Sequence, residues 1–573
     1  MAKELEKVDV VTVGAGWTGG IVAAEAAKAG LKVVSLERGK RRGTKNYQHV
    51  HDELKYALRY ELMQDVTKET VTFRNNQDQR ALPMRQMGSF LLGEHVGGAG
   101  THWNGWTYRF LPYDFEIKTM TEERYGKEKL MEDKGYRFQD WGITYDELEP
   151  YFDQFEKTAG ICGEENPLGG KRSDKYPNPP MVKTKILKMF EKATKEMKYH
   201  PYMLPSANMS QEYTNPDGEK MGACQYCAFC ERFACEYSAK ASPEVTVIPT
   251  AEKTGNYTIR TEANVVEIIK DGNNKVKGVK FVDTVTKEEF IQPADVVVLT
   301  SYMLNNYKLL RISDIGEQYD PKTEKGTLGR NYCYQTTGGS TGFFDEQFNT
   351  FMGAGALGIT LDDFNGDEFD HTDLDFLHGG SLYTTQTGAR PILSNPVKAG
   401  TKNWGEEFKE ESIKNYTRTI NVSGQCATSP HKDNYLDIDE DYTDAYGLPL
   451  VKLTYNFTDQ DRLRTKYLAE RSGEVLEKMG AKHVDVGGDL KDYDIVPYQS
   501  THNTGGTVMG DDPEISVVNN WLQHWDADNL FVVGAGNFAH NSGYNPTGTV
   551  GALAYRCAEG VIKYHKNPGR LEK

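Results

Sequence analysis

Four cysteines in the middle of the chain have the spacing of a metal or cluster site. They form the motif C-x2-C-x2-C-x4-C, which consists of Cys224, Cys227, Cys230 and Cys235. Thiolates at these short spacings can surround one side of a compact iron–sulfur cluster, and the fourth can close it. Four thiolates also suit tetrahedral zinc, although zinc sites usually combine two separated C-x2-C pairs. The spacing therefore favours an iron–sulfur cluster, with zinc or plain structural thiols as the alternatives.

Two polar residues near the C-terminus form a second candidate group. His502 begins the glycine-rich segment HNTGGTVMG, and Asn545 begins NPTGTV, which directly precedes a predicted helix. Histidine is the usual general base for an alcohol proton near neutral pH, and an asparagine amide can hold the same hydroxyl group. A single histidine is more often structural. The pair is therefore interpreted as catalytic only together with the nucleotide-binding pattern at the N-terminus.

The element that predicts a nucleotide cofactor is a βαβ unit at the start of the chain. Val8–Val13 is typical of a buried strand of β-branched residues, and the loop GAGWTG at 14–19 follows it. An alanine-rich helix over about 20–29 and a second strand over 31–36 complete the unit, which ends at Glu37. Glycines at these positions between a strand and a helix, with an acid after the next strand, are the fingerprint of a dinucleotide site.

The glycines and the acid of this unit each have a predicted role. Gly14 permits the tight turn, Gly16 lets the backbone approach a pyrophosphate, and Gly19 allows close helix–strand packing. The helix N-terminus stabilises the phosphate charge. Glu37 accepts hydrogen bonds from ribose hydroxyl groups and repels a 2′-phosphate. The motif does not separate FAD from NAD, and a simple βα turn is the alternative without a function.

Length, charge and composition limit the class of protein. The chain has 573 residues, too many for one simple core at roughly 100–200 residues per domain. Its formal net charge of −16 disfavours a nucleic-acid binder, which needs a basic surface. The sequence contains no run of about 18 apolar residues, so no membrane-spanning helix is expected, and it begins without an apolar signal segment. Eight cysteines are too sparse for a disulfide scaffold.

Further strand and helix patterns predict an α/β fold (α+β overall). Apolar runs at 294–299 and 529–533 are typical of interior parallel strands, and an alanine-rich helix is predicted over 548–563. Together with the N-terminal unit they predict a discontinuous Rossmann-like domain, interrupted by a cysteine-bearing insertion and by a substrate-binding domain with a mixed sheet. The predicted limits are 1–115, 250–332 and 500–573 for the nucleotide-binding domain, 116–249 for the insertion and 333–499 for the substrate-binding domain.

On a set of motifs spread over nearly the whole chain, the sequence resembles the GMC (glucose–methanol–choline) oxidoreductase superfamily. Within it, the likeness is greatest to the large subunits of bacterial gluconate 2-dehydrogenase, fructose dehydrogenase and FAD-dependent glucose dehydrogenase. The first motif is shared with many flavoproteins, whereas the last two are specific. The matching segments are VDVVTVGAGWTGG, VSLERG, VGGAGTHWNGWTYR, CEYSAKASP, LGRNY, HNTGGTVMG and NPTGTVGALAYR.

The resemblance implies that the nucleotide is FAD and that the fold is of the GMC type. It implies His502 as the catalytic base and Asn545 as its partner, with asparagine at the second position typical of the dehydrogenases. His102 stands where some relatives attach FAD covalently, so FAD is expected either attached through His102 or bound without a covalent link. The residues implied for the FAD site are Gly14, Gly16, Thr18, Gly19, Glu37, Arg38, Gly98, His102, Trp103, Asn104, Val266, Asn537, Pro546 and Thr547.

The function that the resemblance implies is a dehydrogenase that oxidises an alcohol of a sugar, sugar acid or glycoside by hydride transfer to flavin N5. Electrons would leave through a [3Fe-4S] or [4Fe-4S] cluster on the four cysteines to an external acceptor other than NAD. A small subunit and a cytochrome or other electron acceptor are expected as partners. The location stays open between the cytoplasm and the periplasm, the latter by co-export with a signal-bearing small subunit. The alternative is an oxygen-using oxidase of the pyranose-oxidase kind, in which the cysteines are structural or bind zinc.

Overall fold

The structure is a computed structural model that describes residues 2–47, 53–54, 62–85, 90, 92–273, 275–388, 392, 394–495 and 500–572. Within these residues the α-helices are α1 (Trp17–Lys28), α2 (Ala99–His102), α3 (Pro112–Phe115), α4 (Ile117–Tyr125), α5 (Tyr145–Ala159), α6 (Lys185–Glu196), α7 (Val247–Lys253), α8 (Met303–Ile312), α9 (Glu406–Asn415), α10 (Asp459–Met479) and α11 (Thr547–Lys566). The strands are β1 (Lys3–Glu4), β2 (Val8–Val13), β3 (Val33–Leu36), β4 (Val71–Arg74), β5 (Leu82–Pro83), β6 (Tyr202–Met203), β7 (Tyr213–Thr214), β8 (Lys220–Met221), β9 (Tyr257–Arg260), β10 (Ala263–Lys270), β11 (Val276–Asp283), β12 (Glu289–Leu299), β13 (Cys333–Tyr334), β14 (Thr336–Phe343), β15 (Gly358–Leu361), β16 (Gly380–Thr385), β17 (Thr419–Cys426), β18 (Tyr435–Thr443), β19 (Pro449–Thr454), β20 (His483–Val486), β21 (Asn503–Thr504) and β22 (Leu530–Val532).

The first sheet carries the glycine motif. Its strands lie in the order β10-β11-β12-β2-β3-β9, and β1 and β22 also pair with β12. The pairs from β12 through β2 and β3 to β9 are parallel, as is the pair of β12 and β22. Parallel strands covered on both faces are near-continuous apolar runs, which is why the sequence pattern could identify them. The strands predicted at 8–13, 294–299 and 529–533 are confirmed as β2, β12 and β22.

The predicted strand at 294–299 is extended in the structure by five residues, and β12 begins at Glu289. This first half of β12 pairs antiparallel with β11, which in turn pairs antiparallel with β10. Buried and exposed residues alternate along it. The apolar-run pattern finds only the second half, because an antiparallel strand with one solvated face is not a continuous apolar run.

Helices cover this sheet. α1 begins at Trp17, before the predicted start near Gly20, and is buried almost all round. It packs against α7 and α11, and α11 packs against α5. The predicted C-terminal helix is confirmed as α11, with one more turn at its end. A single apolar core extends through these helices and the sheet, from Val10 and Ile21 to Val297 and Leu553.

The second large sheet is antiparallel. Its strand order is β20-β14-β17-β16-β15-β6, and α6 and α10 pack on it over a separate apolar core. Its strands come from residues 202–203, 336–426 and 483–486. The mixed α/β fold predicted from the sequence is confirmed, with parallel and antiparallel sheets in different parts of the chain.

A four-stranded sheet, in the order β18-β19-β4-β5, joins residues 71–83 to residues 435–454. It therefore connects two segments that the sequence predicts as separate domains, and the exact domain limits stay a prediction. Within the described residues, every helix is too short or too polar to cross a lipid bilayer.

Candidate active site

A large cavity lies where the carboxyl ends of the parallel strands meet the antiparallel sheet. Its volume is about 570 Å³, within the roughly 300–1,000 Å³ of cofactor and ligand sites. The ends of β2, β3 and β12 contribute one wall, and residues of β14, β16 and β17 contribute another. The residues predicted for the site that line this cavity are Gly14, Gly16, Thr18, Glu37, Arg38, Gly98, His102, Trp103, Asn104, His502, Asn545, Pro546 and Thr547.

Two glycine loops meet at one side of the cavity. Gly14 has a φ of +100°, and a Cβ there would lie 2.9 Å from the Thr300 carbonyl oxygen. Gly98 has a φ of +53°, and its Cβ would lie 3.5 Å from Gly16 Cα. At Gly16 itself a Cβ would be 3.8 Å from the Gly97 carbonyl oxygen, an ordinary van der Waals contact, beside the N-terminus of α1. The two loops leave a backbone-lined cradle of the kind that a pyrophosphate needs.

Three residues predicted for the cofactor site do not line the cavity. A Cβ at Gly19 would lie 2.1 Å from the Gly14 carbonyl oxygen, so Gly19 lets α1 pack on the turn. Val265 lines the cavity, and Val266, which does not, lies at a register shift between β10 and β11. Asn537 is buried and bonds to backbone, with Nδ2 donating to Thr507 O at 2.9 Å and Oδ1 accepting from Gly534 N at 2.9 Å.

Glu37 lies at the end of β3, where the fingerprint places a ribose-binding acid. It is buried, and its carboxylate accepts hydrogen bonds from Ala15 N at 3.0 Å and Gly39 N at 2.9 Å. Burial raises the pKa of Glu37, and the two amide donors act in the opposite direction. Each carboxylate oxygen has a second acceptor site, so Glu37 can hold the glycine turn and a ribose hydroxyl group together.

A buried chain of charges follows Glu37 at this end of the cavity. Arg38 pairs with Glu69, and Lys308 Nζ lies 2.8 Å from Glu69 Oε1 and 2.6 Å from Asp444 Oδ2. Burial acts to raise the pKa of Glu69, but the two cations outweigh it and lower the value to about 2. Sequence reasoning missed Glu69, Lys308 and Asp444, since they are distant along the chain and share no motif.

The segment after the second glycine loop forms the wall next to the cysteine-bearing loop. His102 ends α2, is 3% exposed and lines the cavity, as either form of FAD attachment requires. Trp103 Nε1 donates to Ala241 O at 2.8 Å, and the Trp103 ring packs edge-on to Trp17 with centroids 5.9 Å apart. These contacts fix the indole beside the start of α1.

The structure brings His502 and Asn545 together at the cavity. Asn545 Nδ2 lies 3.3 Å from His502 Nε2, and both residues line the same space. Asn545 stands just before α11, and Asn541 Nδ2 donates to the His502 carbonyl oxygen at 2.6 Å. The two segments predicted as catalytic are therefore held to each other by side-chain and backbone bonds.

Two glutamines that sequence reasoning missed lie at the other nitrogen of His502. Gln335 Oε1 contacts His502 Nδ1. Gln425 Nε2, which is 3.0 Å from the same nitrogen, donates to Gln335 Oε1. Gln335 Nε2 donates to the Ser542 carbonyl at 2.6 Å and the Tyr544 carbonyl at 2.9 Å. Because both of those partners accept only, the amide orientation of Gln335 is fixed and its Oε1 must face the histidine.

This arrangement determines which nitrogen of His502 carries the proton and which carries the lone pair. An amide oxygen accepts hydrogen bonds, so the contact with Gln335 requires a proton on Nδ1. In the neutral imidazole, Nε2 then carries the lone pair, beside Asn545 and the cavity. Desolvation lowers the pKa of His502 to about 3. His502 is thus neutral at pH 7, with Nε2 able to accept a proton.

The four predicted cluster ligands lie in one tightly wound loop beside this wall. Non-glycine residues of the loop with positive φ are Tyr226, Ala228, Arg232 and Ser238. Backbone N–H groups point at two of the sulfurs, from Tyr226 to Cys224 Sγ at 3.4 Å and from Ala239 to Cys235 Sγ at 3.4 Å. Such bonds to sulfur are common around iron–sulfur clusters.

The separation of the sulfurs bears on which metal the loop suits. Within the described residues, which include the whole loop, no three of the four Sγ atoms lie within 4.8 Å of one another. A single tetrahedral zinc with Zn–S bonds of about 2.3 Å needs sulfurs about 3.8 Å apart. A cluster of several irons separates its ligands further. The four sulfurs as they stand are therefore too far apart for one tetrahedral zinc ion.

Direct bonds join the cysteine loop to the cavity wall. Lys240 is 1% exposed, and its ammonium donates to Trp103 O at 2.6 Å, Cys230 O at 2.8 Å and Phe233 O at 2.8 Å. Arg232 N donates to His102 O at 2.7 Å. The backbone that carries His102 and Trp103 is thus fixed to the backbone that carries the cysteines.

A buried group outside the cavity combines an aspartate with two histidines. Asp114 Oδ1 accepts from His378 Nε2 at 2.8 Å and from His540 Nε2 at 3.2 Å. Gly379 N donates to His378 Nδ1 at 2.8 Å, so the single proton of the neutral ring is on Nε2 and bonded to Asp114. A metal at Nε2 would have to displace that proton. The group therefore links three chain segments by hydrogen bonds.

Comparisons with known proteins agree with this geometry. Family models of the GMC oxidoreductases match residues 133–337 and 430–554. The chain is 39% identical over 594 residues to the gluconate 2-dehydrogenase flavoprotein of Pantoea cypripedii, covering 100% of this chain and 96% of that protein. It is 24% identical over 579 residues to the fructose dehydrogenase large subunit of Gluconobacter japonicus, covering 98% and 99%.

Solved structures share the fold. A variant of Aspergillus oryzae RIB40 formate oxidase superposes with a TM-score of 0.65 at 15% identity, covering 99% of this chain and 100% of that chain. Pyridoxine 4-oxidase from Mesorbium loti gives 0.60 at 17% identity, covering 98% and 100%. The chain therefore belongs to the GMC oxidoreductase family, FAD-dependent oxidoreductases that act on alcohol groups.

Proposed function

We propose that this enzyme is a dehydrogenase that oxidises an alcohol group of a sugar, sugar acid or glycoside, with His502 as the base. We further propose that electrons leave through an iron–sulfur cluster to an acceptor other than NAD or oxygen. The observation that carries the proposal is the pairing of His502 Nε2 with Asn545 in a cavity that also contains the glycine cradle. The relatives named for gluconate and fructose support a sugar-like substrate.

The residues around the cavity fit FAD. Gly16 and Gly98 line the cavity without side chains, so a pyrophosphate could approach their backbone, and Glu37 would accept hydrogen bonds from the adenosine ribose. His102, Trp103 and Asn104 would line the flavin half, between the cradle and His502. When bound, FAD supplies an acceptor for a hydride, that is, for two electrons and a proton.

The chain's own residues would perform the proton transfer. The substrate hydroxyl group would lie on the cavity side of His502 Nε2 and Asn545 Nδ2, which are 3.3 Å apart, within hydrogen-bonding reach of both. His502 would take the hydroxyl proton at Nε2, while Asn545 donates a hydrogen bond to the same oxygen and orients it. Charge that develops on the oxygen would thus be stabilised by one donor and by the imidazolium that forms.

Cys224, Cys227, Cys230 and Cys235 would hold the cluster, which supplies one-electron transfer to an outside acceptor. Their N–H···S bonds and their spread support this assignment over zinc. The fixed contact between the loop and the wall at His102 and Trp103 supports its coupling to the cavity. One relative is named as a large subunit, which supports a partner subunit for this chain too.

Anaerobic mixing of the purified holoenzyme with a panel of sugars, polyols and sugar acids tests this function. We expect at least one of them to bleach the flavin absorbance, and one-electron acceptors to restore it faster than oxygen does. Iron and sulfide analysis of the same sample is expected to find both elements. A yellow protein without iron that is reoxidised rapidly by oxygen would instead support the oxidase alternative.

Replacing Gln335 is expected to disturb the base without removing it. With Gln335→Met, Nδ1 loses its fixed acceptor, and we expect the rate constant of flavin reduction to fall by about 10²-fold. That loss is smaller than the ~10⁴-fold cost of a wrong tautomer in a charged triad, because the neutral Gln335 does not stabilise the imidazolium by a charge. Stopped-flow flavin reduction measures it.

Gln335→Glu separates this positioning role from a structural one through its pH profile. With a pKa of about 3, wild-type His502 stays neutral above that pH, so its protonation causes no loss of rate between pH 8 and 5. A carboxylate at Nδ1 stabilises the imidazolium and raises the pKa of His502. The rate should then fall as pH decreases through this range, whereas Gln335→Met should stay flat. Identical pH profiles for both variants would contradict the assignment.

A further inference from the structure

The wall beyond His502 is made of neutral polar side chains. Along β17, Gln425, Ser423 and Asn421 follow one another at every second residue and all face the cavity. Tyr383 of β16 lies directly opposite Ser423 in the register of the sheet, and Thr385 follows it on the same face. Ser423 is two residues from Gln425, about 7 Å along the strand. This is about the length of a six-carbon polyol placed with one end at His502.

One carboxylate enters this part of the cavity. Glu231, which directly follows Cys230 in the cysteine loop, lines the cavity together with Tyr383 and Trp106. Its charge acts on Tyr383: burial is the main cause that raises the pKa of this tyrosine, and Glu231 adds to it. Arg232 Nε is 3.6 Å from Glu231 Oε1 but does not line the cavity. Of this ion pair, the acidic residue is therefore the one on the cavity wall.

Positive charge is at the opposite end. Among the described residues that line the cavity, the lysine and arginine side chains are Arg38 and Lys308, and both are paired with Glu69 where the adenosine would lie. At the substrate end the described lining contains no lysine or arginine. A sugar acid would thus find hydroxyl and amide partners there, but its carboxylate would face Glu231 without a cation.

On this basis we propose that the substrate is an uncharged sugar or polyol and that Glu231 disfavours carboxylate substrates. This inference rests on the proposed function and narrows its substrate class. Like charges in a partly desolvated cavity repel strongly, and an enzyme gains specificity by making the wrong substrate unfavourable. The preferred substrate would then differ in charge from gluconate, the compound for which the 39% identical relative is named.

The test compares D-glucitol with D-gluconate, which have the same carbon chain and differ in one terminal CH2OH or carboxylate. For the wild-type holoenzyme we expect the second-order rate constant of anaerobic flavin reduction to be at least about tenfold higher with D-glucitol. With Glu231→Gln the ratio should fall several-fold toward one. Added salt should raise the D-gluconate constant of the wild type and leave that of D-glucitol unchanged, since only a charge repulsion is screened.

Glu236→Gln is the matched control. Glu236 also follows a cysteine of the same loop, but it does not line the cavity. It should leave the ratio unchanged. Equal constants for both compounds in the wild type, or an unchanged ratio in Glu231→Gln, would overturn the inference. If neither compound reduces the flavin while other alcohols do, their dissociation constants, taken from changes in flavin absorbance, test the same discrimination. Failure of every alcohol would contradict the proposed function itself.

Discussion

His502→Ala is expected to lower the rate constant of flavin reduction by substrate by about 10²–10⁴-fold, the usual contribution of a general base. The structure gives the reason, because His502 Nε2 is the acceptor next to Asn545, and Gln335 fixes the proton on the other nitrogen. FAD should stay bound, since the glycine cradle and Glu37 lie at the far end of the cavity. Anaerobic stopped-flow spectroscopy measures the rate, and the absorbance ratio of flavin to protein measures FAD content.

Two comparisons make this result specific. Imidazole added to the His502→Ala enzyme should restore part of the rate, because the vacated space opens into the cavity. His483→Ala removes an exposed histidine that pairs with Asp485 on β20, outside the cavity, and should reduce at the wild-type rate. If His502→Ala bleaches as fast as His483→Ala, His502 is not the base.

The parts of the fold that the sequence predicts well are those with a local pattern. β2, α1 and β3 follow from β-branched runs, glycines and an alanine-rich stretch within about thirty residues, as expected for a βαβ unit. The first half of β12 was not predicted because its stability depends on pairing with β11, which shows no apolar run. The sheet that joins β4 and β5 to β18 and β19 depends on partners more than 350 residues apart, for which one sequence gives no local signal.

The residues of the candidate site likewise fall into those that a local motif predicts and those that it does not. His502, Asn545 and the glycine loops stand in recognisable motifs, and the structure places them around one cavity. Gln335, Gln425 and Glu231 could not be predicted, since each acts through a partner distant in the chain. Gln335, for example, reaches His502 because β13 pairs with β21 and brings residues 333–334 against 503–504. Val265 lines the cavity and Val266 does not, because β10 has a register shift between Val265 and Glu267 that the sequence alone does not reveal; the cofactor role of Val266 stays a prediction.

Cys227→Ser is expected to separate the two halves of the reaction. Serine keeps the size of the side chain but replaces a soft thiolate by a poor iron ligand, so the iron and sulfide content of the protein should fall severalfold. Flavin reduction by substrate should stay within about twofold of the wild type, because His502, Asn545 and the cradle are not in the cysteine loop. Reoxidation by a one-electron acceptor should slow by about tenfold or more, since one-electron transfer from the cavity loses its carrier.

The control for this variant is Cys557→Ser, which alters a buried cysteine of α11 outside the cysteine loop. Its hydroxyl group can bond to the helix carbonyl four residues earlier, so the helix tolerates it. Iron content and both half-reactions should match the wild type. Both variants replace a cysteine by serine, but only Cys227→Ser removes a proposed cluster ligand.

Full iron content in Cys227→Ser would show that Cys227 is not a ligand. Lost iron with unchanged reoxidation would show that electrons do not leave through this loop. The Lys240 ammonium still donates to the Trp103 carbonyl and the Arg232 N–H to the His102 carbonyl when serine replaces Cys227, because neither bond uses the Cys227 side chain. A slower reoxidation in Cys227→Ser can then be assigned to the missing ligand rather than to a displaced cavity wall.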